Sequence, residues 1–226
     1  MSALLHQPAV LGFTFVLIIL FPLADAFVYA RLQTALHVYV WNILALWTLT
    51  LIAVALLHRY GFTLAQFGEN LGVYPRNILT GGGVVILVVA VVVLNKVQMR
   101  KITPEQYAKQ IEKMSKLIPT TPAERLAAIP LAFTAGFCEE FLYRGYLLNI
   151  VASATKSVWV GLLISSICFG FAHLYQGRKG VIRTSVGGVV FGVIYLGSRS
   201  LLPGQVLHTA MDLSQLFTLS KKGRSQ

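Results

Sequence analysis

Three ionisable side chains, Glu139, Glu140 and Arg144, stand in the otherwise apolar run Cys138-Glu-Glu-Phe-Leu-Tyr-Arg144. The flanks, Leu126-Ala-Ala-Ile-Pro-Leu-Ala-Phe133 and Gly145-Tyr-Leu-Leu-Asn-Ile-Val151, read as membrane helix. An ionised group in hydrocarbon costs at least about 2.5–3.5 kcal/mol, so it faces a partner or a cavity. Helix positions four apart share a face, so Glu140 and Arg144 can pair in place, and that pair can be purely structural. Glu139 is turned about 100° from Glu140 and has no basic partner in its own helix. That suits a general base activating water.

Two apolar stretches downstream carry possible partners. Phe169-Gly-Phe-Ala-His173 places Phe169 one turn behind His173, and His208-Thr-Ala-Met-Asp212 puts an imidazole and a carboxylate at i and i+4. Each alone has a bland reading as hydrogen-bonded core. Together they look like one polar site. Two chemistries fit it. In one, Glu139 and His173 deprotonate a water while His208 stabilises the oxyanion. In the other, His173, His208 and Asp212 bind Zn²⁺, which lowers the pKa of a bound water to about 7. No His-Glu-x-x-His is present, so the cofactor stays open between zinc and none. Gly-x-Ser-x-Gly and Gly-x-Gly-Asp are absent too, which argues against serine and aspartyl sites.

The chain around these residues is 56% hydrophobic and 12% charged, with mean hydropathy +0.70. That composition belongs to an all-α polytopic membrane protein, read as a single membrane domain over 1–226. Apolar stretches of membrane-crossing length fall at 9–30, 38–57, 78–97, 126–150, 157–175, 181–198 and 200–219, about seven spans. Ala24-Asp-Ala26 resembles a signal-peptide cleavage site, but no basic n-region precedes it. A fourth helix beginning at Pro130, a residue favoured in a first turn, would carry Glu139 about nine residues deep.

Fourteen of the nineteen Lys and Arg fall on one side when the spans alternate, from Arg31 through Lys96–Arg125 and Arg178–Arg183 to Lys221–Arg224. The positive-inside rule makes that side cytoplasmic, with the N-terminus out and the C-terminus in, and the cell membrane as location. The net charge of +11 then reflects basic loops on an anionic leaflet of membrane lipids, with no nucleic-acid partner. The loop 98–125 holds Tyr107, Ile111, Met114 and Ile118 at helical spacing opposite lysines, which predicts an amphipathic helix on the cytoplasmic surface. Gly188 and Gly192 offer close helix packing, within the chain rather than between chains.

The order Glu139-Glu140-x-x-x-Arg144, Phe169-x-x-x-His173, His208-x-x-x-Asp212 resembles the three motifs of the CAAX-protease and bacteriocin-processing (CPBP, or Abi) family, which includes the type II CAAX prenyl endopeptidases. The resemblance covers about residues 120–220, the expected catalytic core. It implies an intramembrane peptidase near the cytoplasmic face, acting on a protein or peptide substrate that can be lipid-modified. By the same resemblance Glu139 is the water-activating residue, His173 its partner, and His208 with Asp212 the oxyanion-side pair; Glu140, Arg144 and Phe169 support them. The prenyl endopeptidases usually carry Asn at the position of Asp212, so prenyl-CAAX processing is less firmly implied than peptidase activity. The competing readings are a non-catalytic membrane scaffold or bacteriocin-immunity protein of the same fold, and a proton-coupled transporter using Glu139 and His173 as a relay.

Overall fold

The computed structural model describes residues 2–69 and 114–222, with isolated positions between them. Every regular element among these residues is helical. The expected span 78–97 and the amphipathic helix through Tyr107 and Ile111 lie outside the continuously described residues. Of that loop, Met114 is helical and buried, and the chain turns over residues 115–118.

Helix α1 (Pro8–Arg31) and helix α2 (Ala35–Arg59) are apolar and long enough to cross a membrane. A π-helical turn, Val16–Leu20, interrupts α1 just before Pro22, whose ring nitrogen has no proton to give to the preceding turn. Helix α3 (Pro122–Thr155) is the central one: 61% of its apolar window is buried inside the molecule, against 28% for α1 and α2. It packs on α2, on α4 (Val158–Phe171) and on α6 (Leu202–Lys222). Helix α5 (Gly177–Ser198) lies against α4. The outward faces carry Leu44, Leu51, Val186 and Val190, all exposed, as lipid contact requires.

Among the described residues four stretches are long and apolar enough to cross a membrane: α1, α2, α3, and α5 with the short turn Leu174–Gln176 before it. The seven-span expectation is not reproduced there. The stretch 157–175 forms only a 14-residue helix, because the chain leaves helical geometry at His173. The stretch 200–219 is a helix of 21 residues, but its polar Gln205, His208, Asp212 and Gln215 leave it too little apolar character.

Helix α3 also starts earlier than a first turn at Pro130. Pro122 takes the first turn, the Thr121 hydroxyl accepts from the Glu124 N–H, and the Glu124 carboxylate accepts from the Thr121 N–H. This reciprocal box satisfies orphan donors at the helix start, and Pro130 falls inside the helix. Gly188 and Gly192 do pack within the chain: a Cβ at Gly188 would stand 3.0 Å from the Ser166 Cα, and one at Gly192 would strike the Leu162 side chain. Cys138 and Cys168 are free and buried.

Candidate active site

Helix α3 changes pitch where its charged residues begin. Residues Glu140–Leu147 form a π-helical segment, all of it buried, a rare geometry that is frequent at functional sites. Within it the expected pair forms, Arg144 Nη1 donating to Glu140 Oε1 at 3.0 Å, with both side chains 1% exposed. The guanidinium also lies over the Phe169 ring at 4.1 Å and the Phe191 ring at 5.3 Å. Two aromatic faces and one carboxylate thus hold a cation in a dry setting.

Helix α6 reaches this segment because the two backbones approach closely at Gly136. A Cβ there would stand 2.9 Å from both the Gln205 carbonyl oxygen and the Thr209 nitrogen. The approach delivers His208, whose Nδ1–H donates to Glu140 Oε1 at 3.0 Å. One Glu140 oxygen therefore serves both Arg144 and His208. The ring stacks on Phe191 at 5.2 Å and meets Phe169 edge-on at 5.9 Å. With Nδ1 committed, Nε2 points at two carboxylates, Glu139 Oε2 at 3.7 Å and Asp212 Oδ2 at 3.8 Å. Both distances exceed a hydrogen bond. Glu139 Oε2 is buried without a hydrogen-bond partner.

His173 is not inside a helix, as the span 157–175 implies, but in the break between α4 and α5, at φ −107° and ψ 29°. This bridge region of backbone space is sparsely allowed and hosts many active-site residues. Its Nδ1–H donates to the Phe169 carbonyl at 2.9 Å, which leaves the Nε2 lone pair as the acceptor. Glu139, His173, His208 and Asp212 all line one cavity of about 310 Å³. Its walls also include Leu46, Leu131 and Ala135, so charged groups and apolar surface share one space. One turn before His208 on α6, Gln205 donates to Glu69 at 2.7 Å and ties the helix to the turn after Phe67. Burial raises the Glu69 carboxyl above its ordinary range, and that hydrogen bond partly offsets the rise.

The zinc reading finds no support in this geometry. Among the described residues no three His, Cys, Asp or Glu side chains lie so that they could hold a metal ion.

Phe191 and Arg183 also line the cavity, and no local motif marks either as a site residue. Phe191 sits between the packing glycines Gly188 and Gly192, a pattern read only for helix contact. In the sequence Arg183 is one of the basic residues that follow His173, with Arg178 and Lys179.

A family model described as Type II CAAX prenyl endopeptidase Rce1-like matches residues 121–214. Over that stretch the chain is similar to the CAAX-protease (CPBP) family. The CPBP match opens at the Thr121 cap of α3 and takes in all three motifs. It is a protease family, which brings with it a protein or peptide substrate and a membrane setting. No curated protein and no solved structure matches the chain.

Proposed function

We propose that the chain is an intramembrane endopeptidase of CAAX type, hydrolysing a peptide bond near the cytoplasmic face with water activated by Glu139 and His173. The observation that carries this reading is the convergence of Glu139, His173 and His208 on one cavity, each held by a different helix or helix break. A water between Glu139 and the His173 Nε2 lone pair loses a proton to Glu139 as its oxygen attacks the scissile carbonyl carbon. The developing oxyanion takes a hydrogen bond from Nε2–H of a His208 imidazolium, whose Nδ1–H stays on Glu140 and fixes the ring's direction. The carbon–nitrogen bond then breaks, and the proton held by Glu139 passes to the leaving amine. The products are a new carboxylate and a free amine, and no metal enters the sequence.

Glu140 and Arg144 act through His208, and Phe169 and Phe191 keep its ring in place. Phe169 also supplies the carbonyl that sets the His173 tautomer. Asp212, 35% exposed and 3.8 Å from His208 Nε2, sits beside the oxyanion position, where a neutral hydrogen-bond donor would serve equally well.

The test compares membrane proteomes of cells carrying the protein with those of cells carrying Glu139→Gln. Membrane proteins shortened at a new C-terminus only with the active copy support the peptidase. Identical proteomes, with both copies present at equal levels, favour the scaffold reading instead.

A further inference from the structure

The cavity holds a cation that the hydrolysis described above does not use. Arg183, in the second turn of α5, lines the same cavity as Glu139 and His173 and is exposed. Among the described residues its one polar partner is Gln176, whose Oε1 accepts from Nη2 at 3.5 Å, the long limit of a hydrogen bond. Arg144 is the contrasting case, buried and held by Glu140 at 3.0 Å. One guanidinium is committed to the framework, and the other keeps most of its five donors for a ligand.

The surroundings narrow the ligand. Gln176 and Thr184 stand beside Arg183 on the wall, while Leu117, Leu131 and Leu216 line the cavity elsewhere. A forked guanidinium next to an amide and a hydroxyl matches a carboxylate, which it can take with two parallel hydrogen bonds. In a peptide that carboxylate is either the chain terminus or an Asp or Glu side chain. A volume of about 310 Å³, at the small end for ligand pockets, suits a short chain end better than a chain running through.

We infer that Arg183, assisted by Gln176, binds the C-terminal carboxylate of the substrate and so sets how far from the chain end the cut falls. This inference rests on the peptidase reading. The apolar wall takes the last side chains, and the scissile carbonyl lies toward Glu139 and His173.

The test uses the protein in phospholipid vesicles and three S-prenylated peptides: the free acid, the C-terminal amide of the same sequence, and that amide with Asp in place of its last residue. The wild type is expected to cut the free acid with kcat/KM about ten- to a hundredfold above the amide, the range of a charge-assisted hydrogen bond, expressed mainly in KM. In Arg183→Gln the ratio falls toward one, and Arg183→Lys, a point charge without the fork, keeps an intermediate ratio. Equal cutting of acid and amide by the wild type overturns the inference while leaving the peptidase intact, and so does a preference that survives Arg183→Gln. Rescue of the amide by the terminal Asp overturns the terminal-carboxylate assignment in favour of a side-chain acid. Failure of the wild type to cut any of the three contradicts the peptidase reading, and this inference falls with it.

Discussion

Glu139 and Glu140 are neighbours in the chain with opposite circumstances. Glu140 Oε1 is shared by Arg144 and His208, both at 3.0 Å, whereas Glu139 Oε2 has no hydrogen-bond partner and lines the cavity. Glu140→Gln should therefore cost stability, about 3–5 kcal/mol for a buried pair that loses one partner, read as a lower denaturation midpoint in detergent. Glu139→Gln should leave that midpoint unchanged and lower turnover by about a hundredfold or more. Equal, purely kinetic losses in both would contradict the division. Asp212→Asn separates the two chemistries, because Asn can donate a hydrogen bond where an ionised Asp cannot. Its rate should be retained or raised, and the activity of the wild type should survive chelation; an inactive variant together with zinc-restored activity would sink the metal-free account. The Glu140–Arg144 pair was legible from the i, i+4 spacing alone. The second use of Glu140, by His208, was not, because it depends on how α6 crosses α3, and no local pattern in either helix encodes that crossing.

At the scale of the elements, the site exists because α6 lies close against α3 and because α4 stops short. Gly136→Ala tests the first condition. Its Cβ would meet two backbone atoms of α6 at 2.9 Å as well as the Thr209 hydroxyl, so the helices must part, at about 1–3 kcal/mol for an overpacked contact. Activity should fall while helix content by circular dichroism is retained, and Thr209→Ala should not rescue it, since backbone atoms remain in the way. Restoration by Thr209→Ala would show that the side chain alone sets the spacing. The capping box Thr121-Pro-Ala-Glu124 was readable in the sequence and marks the start of α3 better than Pro130 does. The π-helical segment was not readable. Its change of pitch alters which side chains face α6, although the i, i+4 pair survives inside it. The break at His173 is hidden for a related reason: Phe169-Gly-Phe-Ala-His-Leu-Tyr is apolar on both sides of the histidine, and hydropathy does not mark where an apolar helix ends.

For the molecule as a whole, the helical class and the membrane setting followed directly from composition, and the resemblance to a family from three motifs in order. The count of seven crossings is not confirmed: among the described residues four stretches are long and apolar enough, the short α4 and the polar-faced α6 fall short of that, and 78–97 lies outside the continuously described residues. The basic asymmetry still supports a proposed orientation with the N-terminus outside and the loop 98–125 and C-terminus in the cytoplasm. Reporter fusions after Lys116 and after Gln226 should both report cytoplasm, and an external signal from either contradicts that orientation. The central claim, that water activated at Glu139 hydrolyses a peptide bond, is met most directly by mass spectrometry of products formed in heavy-oxygen water. Purified protein in phospholipid vesicles is given an S-prenylated CAAX-type peptide with a free C-terminus. The account predicts one heavy oxygen in the new carboxylate of each cleaved peptide with the wild type, and no product with a folded Glu139→Gln. Cleavage by Glu139→Gln at the wild-type rate, or no cleavage by a folded wild type, would contradict it.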